Sequence, residues 1–158
     1  MTLDTVRALR RAGRHDEAHA IAVQLAAQAP HDAQLQFQTA CVCDYLGREA
    51  DAVPYYVAAL RGELAPADRR SAYLGLGSTY RTLGRYAEAR ATLLAGLQQF
   101  PDAREIQAFL AMALHNTGDS KQAVELLLKL LTATSSDPAI QDYRRAIELY
   151  AEDLDRTW

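Results

Sequence analysis

The fold is decided by residues 70–101, which read RSAYLGLGSTYRTLGRYAEARATLLAGLQQFP. Core-type residues recur at helical spacing on each side of Gly84: Tyr73, Leu76, Gly77 and Tyr80 before it, and Tyr86, Ala89, Leu93 and Gly96 after it. A glycine between two helical stretches is typical of the position just after a helix, where φ is positive and only glycine is unstrained. The segment therefore predicts two antiparallel helices joined by a tight turn at Gly84.

This pattern occurs four times along the 158 residues. Glycines recur at intervals of 34, 37 and 34 residues, and an alanine follows each glycine by five residues. The glycines are Gly13, Gly47, Gly84 and Gly118, and the alanines are Ala18, Ala52, Ala89 and Ala123. Small residues at fixed positions allow neighbouring helices to approach closely. A period near 34 residues predicts a solenoid in which each helix pair covers the next.

Residues 70–101 resemble a complete tetratricopeptide repeat, and the whole chain is similar to a small bacterial family called tetratricopeptide repeat group 5. The stretches that carry this resemblance are VRALR (6–10), AVPYY (52–56), GLGST (75–79), FLAMALHN (109–116) and YAEDL (150–154). The resemblance implies an all-α fold, a right-handed α-α superhelix of about four helical hairpins plus a C-terminal capping helix. It also implies a non-enzymatic protein–protein interaction module that forms a homodimer.

We expect one domain over residues 1–158, with repeats at about 1–32, 33–66, 67–102 and 103–137. Asp32 and Asp102 are candidate N-caps for the helices that follow them. Asp137 precedes Pro138, which is typical of an N-cap followed by proline in the first helical turn. A solenoid leaves the face of its last repeat uncovered. We therefore predict one capping helix over residues 138–154.

Composition restricts the classes of function. The chain has 17 Lys and Arg against 20 Asp and Glu, a net charge of −3, and no long basic run, so nucleic-acid binding is not expected. No apolar stretch reaches the roughly 18 residues needed to cross a bilayer, and we expect no membrane contact. Cys41 and Cys43 point to different helix faces and favour reduced thiols. We therefore expect a cytoplasmic protein.

His15, Asp16 and His19 support an alternative function, a metal-dependent hydrolase. Two histidines four residues apart share a helix face, and a carboxylate after the first matches the spacing of a zinc-protease helix. A zinc site needs a third protein ligand, however, and no motif supplies one. His15 also occupies the repeat position that Tyr86 fills in the third unit. We expect no catalytic residue, no metal and no cofactor.

A second stripe lies beside the core-facing stripe of each first helix. The resemblance implies that this stripe lines the concave groove of the superhelix and binds a protein or peptide partner. The predicted groove residues are Phe37, Cys41, Asp44, Tyr45, Leu74, Ser78, Arg81, Thr82, Met112, His115 and Asn116. Several are more apolar than a solvated face requires, as is typical of a peptide-docking surface. An external partner, the chain's own capping helix and a second copy of the chain all remain open as occupants.

Four arginines form a basic stretch near the N-terminus: Arg7, Arg10, Arg11 and Arg14. We interpret them as a solvated helix face. The alternative is an acidic partner, which includes the acidic residues 152–155 of a second copy.

Overall fold

The computed structural model describes residues 1–157, and all regular structure in this part of the chain is helical. The all-α prediction is confirmed. Ten helices follow one another: α1 (Leu3–Arg11), α2 (His15–Gln28), α3 (Ala33–Tyr45), α4 (Glu49–Arg61), α5 (Pro66–Thr82), α6 (Tyr86–Gln99), α7 (Arg104–Asn116), α8 (Ser120–Thr134), α9 (Pro138–Asp142) and α10 (Arg144–Tyr150).

Each of the four periodic glycines ends the first helix of a pair, as predicted. Gly84 has a φ of 72°, and its N–H donates to the Arg81 carbonyl at 3.0 Å. The next N–H, of Arg85, donates to the Tyr80 carbonyl at 2.8 Å. This pair of bonds satisfies the last carbonyls of α5 and reverses the chain direction. Gly13, Gly47 and Gly118 also have positive φ, at 73°, 69° and 89°.

Close packing of the two helices in a pair depends on small residues. A Cβ placed on Gly77 would lie 2.5 Å from Cγ of Leu93, so α5 approaches α6 as closely as a hydrogen side chain permits. Ala89 and Leu93 are fully buried in the central core. Tyr86, which the sequence places on the same face, is 39% exposed at the start of α6.

The four pairs stack in chain order, and each second helix packs against the first helix of the next pair. The first helices α1, α3, α5 and α7 also contact their successors, while the second helices lack comparable contacts among the described residues. The first helices therefore lie on the inner, more crowded side of the superhelix. We call this side the concave face.

Two details of the helix boundaries test the sequence analysis. The Asp32 carboxylate accepts a hydrogen bond from the Leu35 N–H at 3.0 Å and caps α3, as predicted. Asp102 does not cap α7, because Ala103 is the N-cap residue and makes no side-chain bond. The interval between Gly47 and Gly84 is 37 residues, longer than the other two, and it contains a short connection and a 17-residue α5 that begins at Pro66.

The predicted single helix over 138–154 is instead two short helices, α9 and α10, which meet at Tyr143. The Asp137 carboxylate caps α9 by accepting from the Ala139 N–H at 2.8 Å. Beyond α10, the Lys121 ammonium donates to Asp153 and Asp155, each at 2.8 Å. The C-terminal segment therefore folds back along α8 and is held there by polar contacts.

Candidate functional site

The repeat period places four rows of equivalent residues along the first helices, on or beside the concave face. These rows are Leu3, Phe37, Leu74 and Ala108; Arg7, Cys41, Ser78 and Met112; Arg10, Asp44, Arg81 and His115; and Arg11, Tyr45, Thr82 and Asn116. All the predicted groove residues are members of these rows. The residues of α1 belong to the same rows, although the sequence analysis assigned them to a solvated face. The signal that could have found them is the 34-residue register that connects Arg7 to Cys41.

Phe37 is corrected from a groove residue to a core residue. Its side chain is only 5% exposed and belongs to the central hydrophobic cluster, with its ring centroid 6.4 Å from that of Tyr56. A partner on the concave face could not contact it without opening the core. At Phe37 the predicted groove stripe of α3 turns into the core.

Asp44 is also used inside the fold. Its carboxylate accepts from the Tyr56 hydroxyl at 2.7 Å and from the Thr79 hydroxyl at 2.8 Å, which links α3, α4 and α5. Burial raises the pKa of the Asp44 carboxyl, and the hydrogen bonds from Tyr56 and Thr79 oppose that rise. Burial likewise raises the pKa of the neighbouring Cys41 thiol. These two residues close the middle of the concave face with a hydrogen-bonded cluster.

A wide pocket opens at the N-terminal end of the concave face. Its volume is about 660 Å³, and we call it the N-terminal pocket; its lining residues are Asp4, Arg7, Arg10, Arg11, His15 and Tyr45. Tyr45 is 68% exposed, and its ring stacks on the His15 ring with a centroid distance of 3.6 Å. This stack forms an aromatic wall beside the arginine row of α1.

The arginines of this pocket differ in their ion pairing. Arg7 has an ion pair with Asp4 at 3.4 Å. Arg10 donates to the side-chain oxygen of Gln38, and Arg11 donates to the Arg7 carbonyl at 3.4 Å. Within the described chain, neither Arg10 nor Arg11 has a carboxylate at ion-pair distance. Asp4, the acidic residue of the lining, pairs with Arg7, so Arg10 and Arg11 face the pocket without an ion pair among the described residues.

A smaller pocket lies at the C-terminal end of the concave face, where α5, α7 and α8 meet. Its volume is about 270 Å³, and its lining residues are Arg81, Ala111, Met112, His115, Ser120, Ala123, Val124 and Leu127. The structure thus brings together three predicted groove residues here: Arg81, Met112 and His115. Arg81 donates to the Asn116 side-chain oxygen at 2.8 Å, and His115 is 3.0 Å from the Ser120 hydroxyl.

The remaining predicted groove residues lie between or outside the two pockets. Leu74 and Ser78 are half-buried on α5, and Thr82 is exposed at the end of that helix. The two pockets are therefore separated by a partly closed central stretch.

Comparison with known proteins places this architecture in a family. A family model described as tetratrico peptide repeat matches residues 33–154, which is more than half of the chain. The chain belongs to the tetratricopeptide repeat family. A second tetratricopeptide repeat model matches residues 2–24. Among curated proteins, none matches the chain. Tetratricopeptide repeats indicate a protein–protein interaction scaffold, and the family is generally non-enzymatic.

The histidines of this tetratricopeptide repeat protein have separate surroundings. His15 stacks on Tyr45, whereas His19 lies against the Arg48 guanidinium, with its Nε2 3.1 Å from Nη1. Asp16 is exposed. Across residues 1–157, no group of three or more His, Cys, Asp or Glu side chains is arranged to hold a metal ion. A third ligand for the hydrolase alternative is therefore missing from the described chain.

Two further observations concern the state of the cysteines and the apolar character of the helices. Both cysteines are free thiols, with Cys43 buried and Cys41 half-buried. In the described residues, no helix combines the length and the apolar character that crossing a bilayer requires.

Proposed function

We propose that this protein is an interaction scaffold that binds an acidic peptide or an acidic segment of a partner protein on its concave face. The observation that carries this proposal is the N-terminal pocket, where Arg10 and Arg11 face solvent space beside the exposed Tyr45 ring. Neither has a carboxylate at ion-pair distance among the described residues, because Asp4, the acidic residue of the lining, pairs with Arg7. Several arginines elsewhere in the chain differ in this respect. Arg14, Arg85 and Arg144, for example, are each paired with a glutamate.

The chemistry of the pocket suits a carboxylate-bearing chain that also carries an apolar side chain. A guanidinium presents its N–H groups in a planar fork that matches the two oxygens of a carboxylate. The Tyr45 ring offers an apolar surface at low cost in side-chain entropy, since its stack on His15 already restricts it. Arg81, in the row of Arg10 and also without a carboxylate at ion-pair distance among the described residues, extends the positive character towards the C-terminal pocket.

Fluorescence anisotropy with defined peptides tests this proposal. The probes are labelled 12-residue peptides in which glutamates flank a leucine, and the same peptides with glutamine in place of glutamate. We expect the acidic peptides to bind, with an affinity that falls as salt is raised. Replacing both arginines, Arg10→Glu with Arg11→Glu, should weaken binding by at least about tenfold, because two ion pairs become two repulsions.

The matched control is Arg61→Glu, which reverses an exposed arginine on α4, a second helix; this arginine has no carboxylate at ion-pair distance among the described residues. It should leave peptide affinity unchanged. Equal binding of the glutamine peptides, or undiminished binding by the Arg10 and Arg11 variant, would contradict the proposal. So would a complete absence of binding by every acidic peptide.

We also propose that the chain forms a homodimer, and that α10 provides its surface. Tyr143 and Leu149 are 69% and 42% exposed there. Arg145 and Glu152 flank the same shallow depression as Leu149. A two-fold axis through this surface would pair Arg145 of one copy with Glu152 of the other, as a self-complementary contact requires. Light scattering after size exclusion should give the mass of a dimer, and Leu149→Asp should give a monomer; a wild-type monomer at micromolar concentration would contradict the homodimer.

A cytoplasmic location follows as a proposal from the two free thiols. Disulfides are rare in reducing compartments, where cysteines at such positions persist as thiols. Fractionation of the native cell, with the protein recovered outside the cytoplasm, would contradict this location.

A further inference from the structure

One position of the repeat is buried in three units and open in the fourth. Ala22, Tyr56, Leu93 and Leu127 are equivalent by their spacing from the periodic alanines. The first three are 0%, 3% and 0% exposed, whereas Leu127 is 44% exposed. Val124 and Leu131, on the same face of α8, are 44% and 40% exposed. The Leu127 position, which is core in the other three pairs, is therefore uncovered at the end of the solenoid, beside two further exposed apolar residues.

The reason is the path of the C-terminal segment. In the first three pairs, the next first helix (α3, α5 or α7) packs on the second helix. Thr39 of α3 donates to the Ala22 carbonyl, and Gly75 of α5 lies against the Tyr56 ring. The C-terminal segment instead takes a neighbouring face of α8: α10 packs against that helix, and Lys121 at its start donates to Asp153 and Asp155 beyond α10. Thr132, on that face, is only 2% exposed, while its equivalent Gln98 on α6 is exposed. On α8 the segment thus covers the face whose equivalent on α6 is exposed to solvent. The position of Leu127, whose equivalent on α6 is the buried Leu93, remains open.

We propose that this open surface binds an amphipathic helix of a partner protein, seated on α7 and α8 as α7 is seated on α6. We call the surface the terminal slot; its residues are Ala111, Met112, His115, Val124, Leu127 and Leu131. The proposal goes beyond concave-face peptide binding, because it depends on the side chains of α8.

The three filled slots define the kind of helix that fits. α3, α5 and α7 each present small or branched residues at spacing i, i+4, i+7, and all of them are buried: Leu35, Thr39 and Val42; Ala72, Leu76 and Thr79; Ile106, Leu110 and Ala113. The contacts are close. The Thr39 hydroxyl is 3.3 Å from the Ala22 carbonyl, and a Cβ on Gly96 would lie 3.2 Å from Cδ1 of Ile106. A helix with this spacing of small and apolar residues therefore matches the terminal slot.

Charge at the mouth of the slot selects among such helices. Arg81 of α5 donates to Asn116 of α7. His115 is the equivalent of Arg81 one repeat later, so the equivalent contact would join His115 to the helix that occupies the slot. Arg81 and His115 both line the pocket there, and neither has a carboxylate at ion-pair distance among the described residues. A second copy stacked head to tail would place Arg11 of its α1 at this position, beside these donors. An acidic residue fits better, so the occupant is a partner helix with a carboxylate ten residues after its first slot-facing residue.

The probe that tests this is a labelled synthetic peptide of residues 103–117 with Asn116→Asp, which carries the natural slot-filling face of α7 and the added carboxylate. Fluorescence anisotropy against the full chain should show saturable binding. The same peptide with Leu110→Asp should not bind, and the peptide that keeps Asn116 should bind a few-fold more weakly. On the protein, Val124→Ser with Leu127→Ser should weaken binding at least about tenfold.

The matched control is Leu94→Ser, because Leu94 is 42% exposed on α6 but lies outside the slot. The Arg10 and Arg11 variant should bind this peptide normally, so failure here is distinguishable from failure of the concave-face proposal. No binding of the peptide, or equal binding by the Val124 and Leu127 variant, overturns the proposal. Light scattering that shows a wild-type dimer and a monomer for that variant also overturns it, since a second copy would then fill the slot.

Discussion

The contrast between Leu93 and Leu127 gives the most direct test of the solenoid and its open end. The two residues have the same identity and repeat position, but Leu93 is fully buried and Leu127 is 44% exposed. Truncating a buried leucine to alanine removes its transfer free energy and leaves a cavity, at a cost of about 2–5 kcal/mol. Leu127→Ala removes a side chain that retains nearly half its contact with water, and it opens no closed cavity. Scaling the roughly 1.5–3 kcal/mol for full burial of an aliphatic side chain gives about 1–1.5 kcal/mol.

Urea unfolding followed by far-ultraviolet circular dichroism measures both free energies. The comparison is between the two alanine variants and Leu94→Ala, whose wild-type side chain is 42% exposed on α6. We expect the midpoint for Leu93→Ala to fall clearly furthest, with Leu127→Ala close to Leu94→Ala. The slopes of the three transitions should agree, because the variants expose similar surface on unfolding.

A loss for Leu127→Ala as large as that for Leu93→Ala would refute the reasoning, since it would mean that the slot is covered in solution. Repeating the measurement at tenfold lower protein concentration identifies the cover. A loss that shrinks on dilution indicates a second copy, and a loss that stays indicates cover from within the chain.

Three other predictions concern packing and ionisation. Gly77→Ala should cost about 1–3 kcal/mol by overpacking, because its Cβ would lie 2.5 Å from Cγ of Leu93; an unchanged thermal midpoint would show that the two helices are further apart. The fold raises the pKa of Asp44 from its ordinary 3.8, so the native state binds more protons than the unfolded state. The free energy of unfolding should therefore fall as pH rises from 3.8 towards the raised value. Asp44→Asn should flatten the pH dependence of the urea midpoint in that window, and an unchanged curve would contradict the burial argument. Burial raises the pKa of the Cys43 thiol to about 11. In the Cys41→Ser variant, a thiol reagent at pH 8 should therefore label Cys43 far more slowly in the native protein than in urea. Equal labelling rates would contradict the buried position of Cys43.

Local rules explain why the repeat architecture could be predicted. A positive φ at Gly84 and its three equivalents is a property of the turn itself, and glycine is the residue that adopts it without strain. The alternation of helical stripes and turns depends on neighbours a few residues away in the chain. Asp32 capped its helix as expected for the same reason, since an N-cap is a contact across three residues.

The groove was harder to predict, because adjacent stripes of one helix differ by a rotation that sequence spacing does not define. Phe37 and Tyr45 were assigned to one surface, yet Phe37 is buried against Tyr56 while Tyr45 is exposed beside His15. Asp44 was predicted as a groove residue, but hydrogen bonds from two other helices hold its carboxylate. Those partners are 12 and 35 residues away in the chain.

What the sequence by itself determined, therefore, is the number of helix pairs, their turns and their small-residue contacts, because each depends on chain neighbours. Which faces remain open was decided only by tertiary structure. Leu93 and Leu127 are the same residue at the same repeat position, and only the helix that lies beside each distinguishes a core position from a docking surface. The C-terminal segment divides at Tyr143 and packs on the face of α8 that carries Lys121 and Thr132. Its choice of this face over the apolar face around Leu127 depends on contacts between distant parts of the chain.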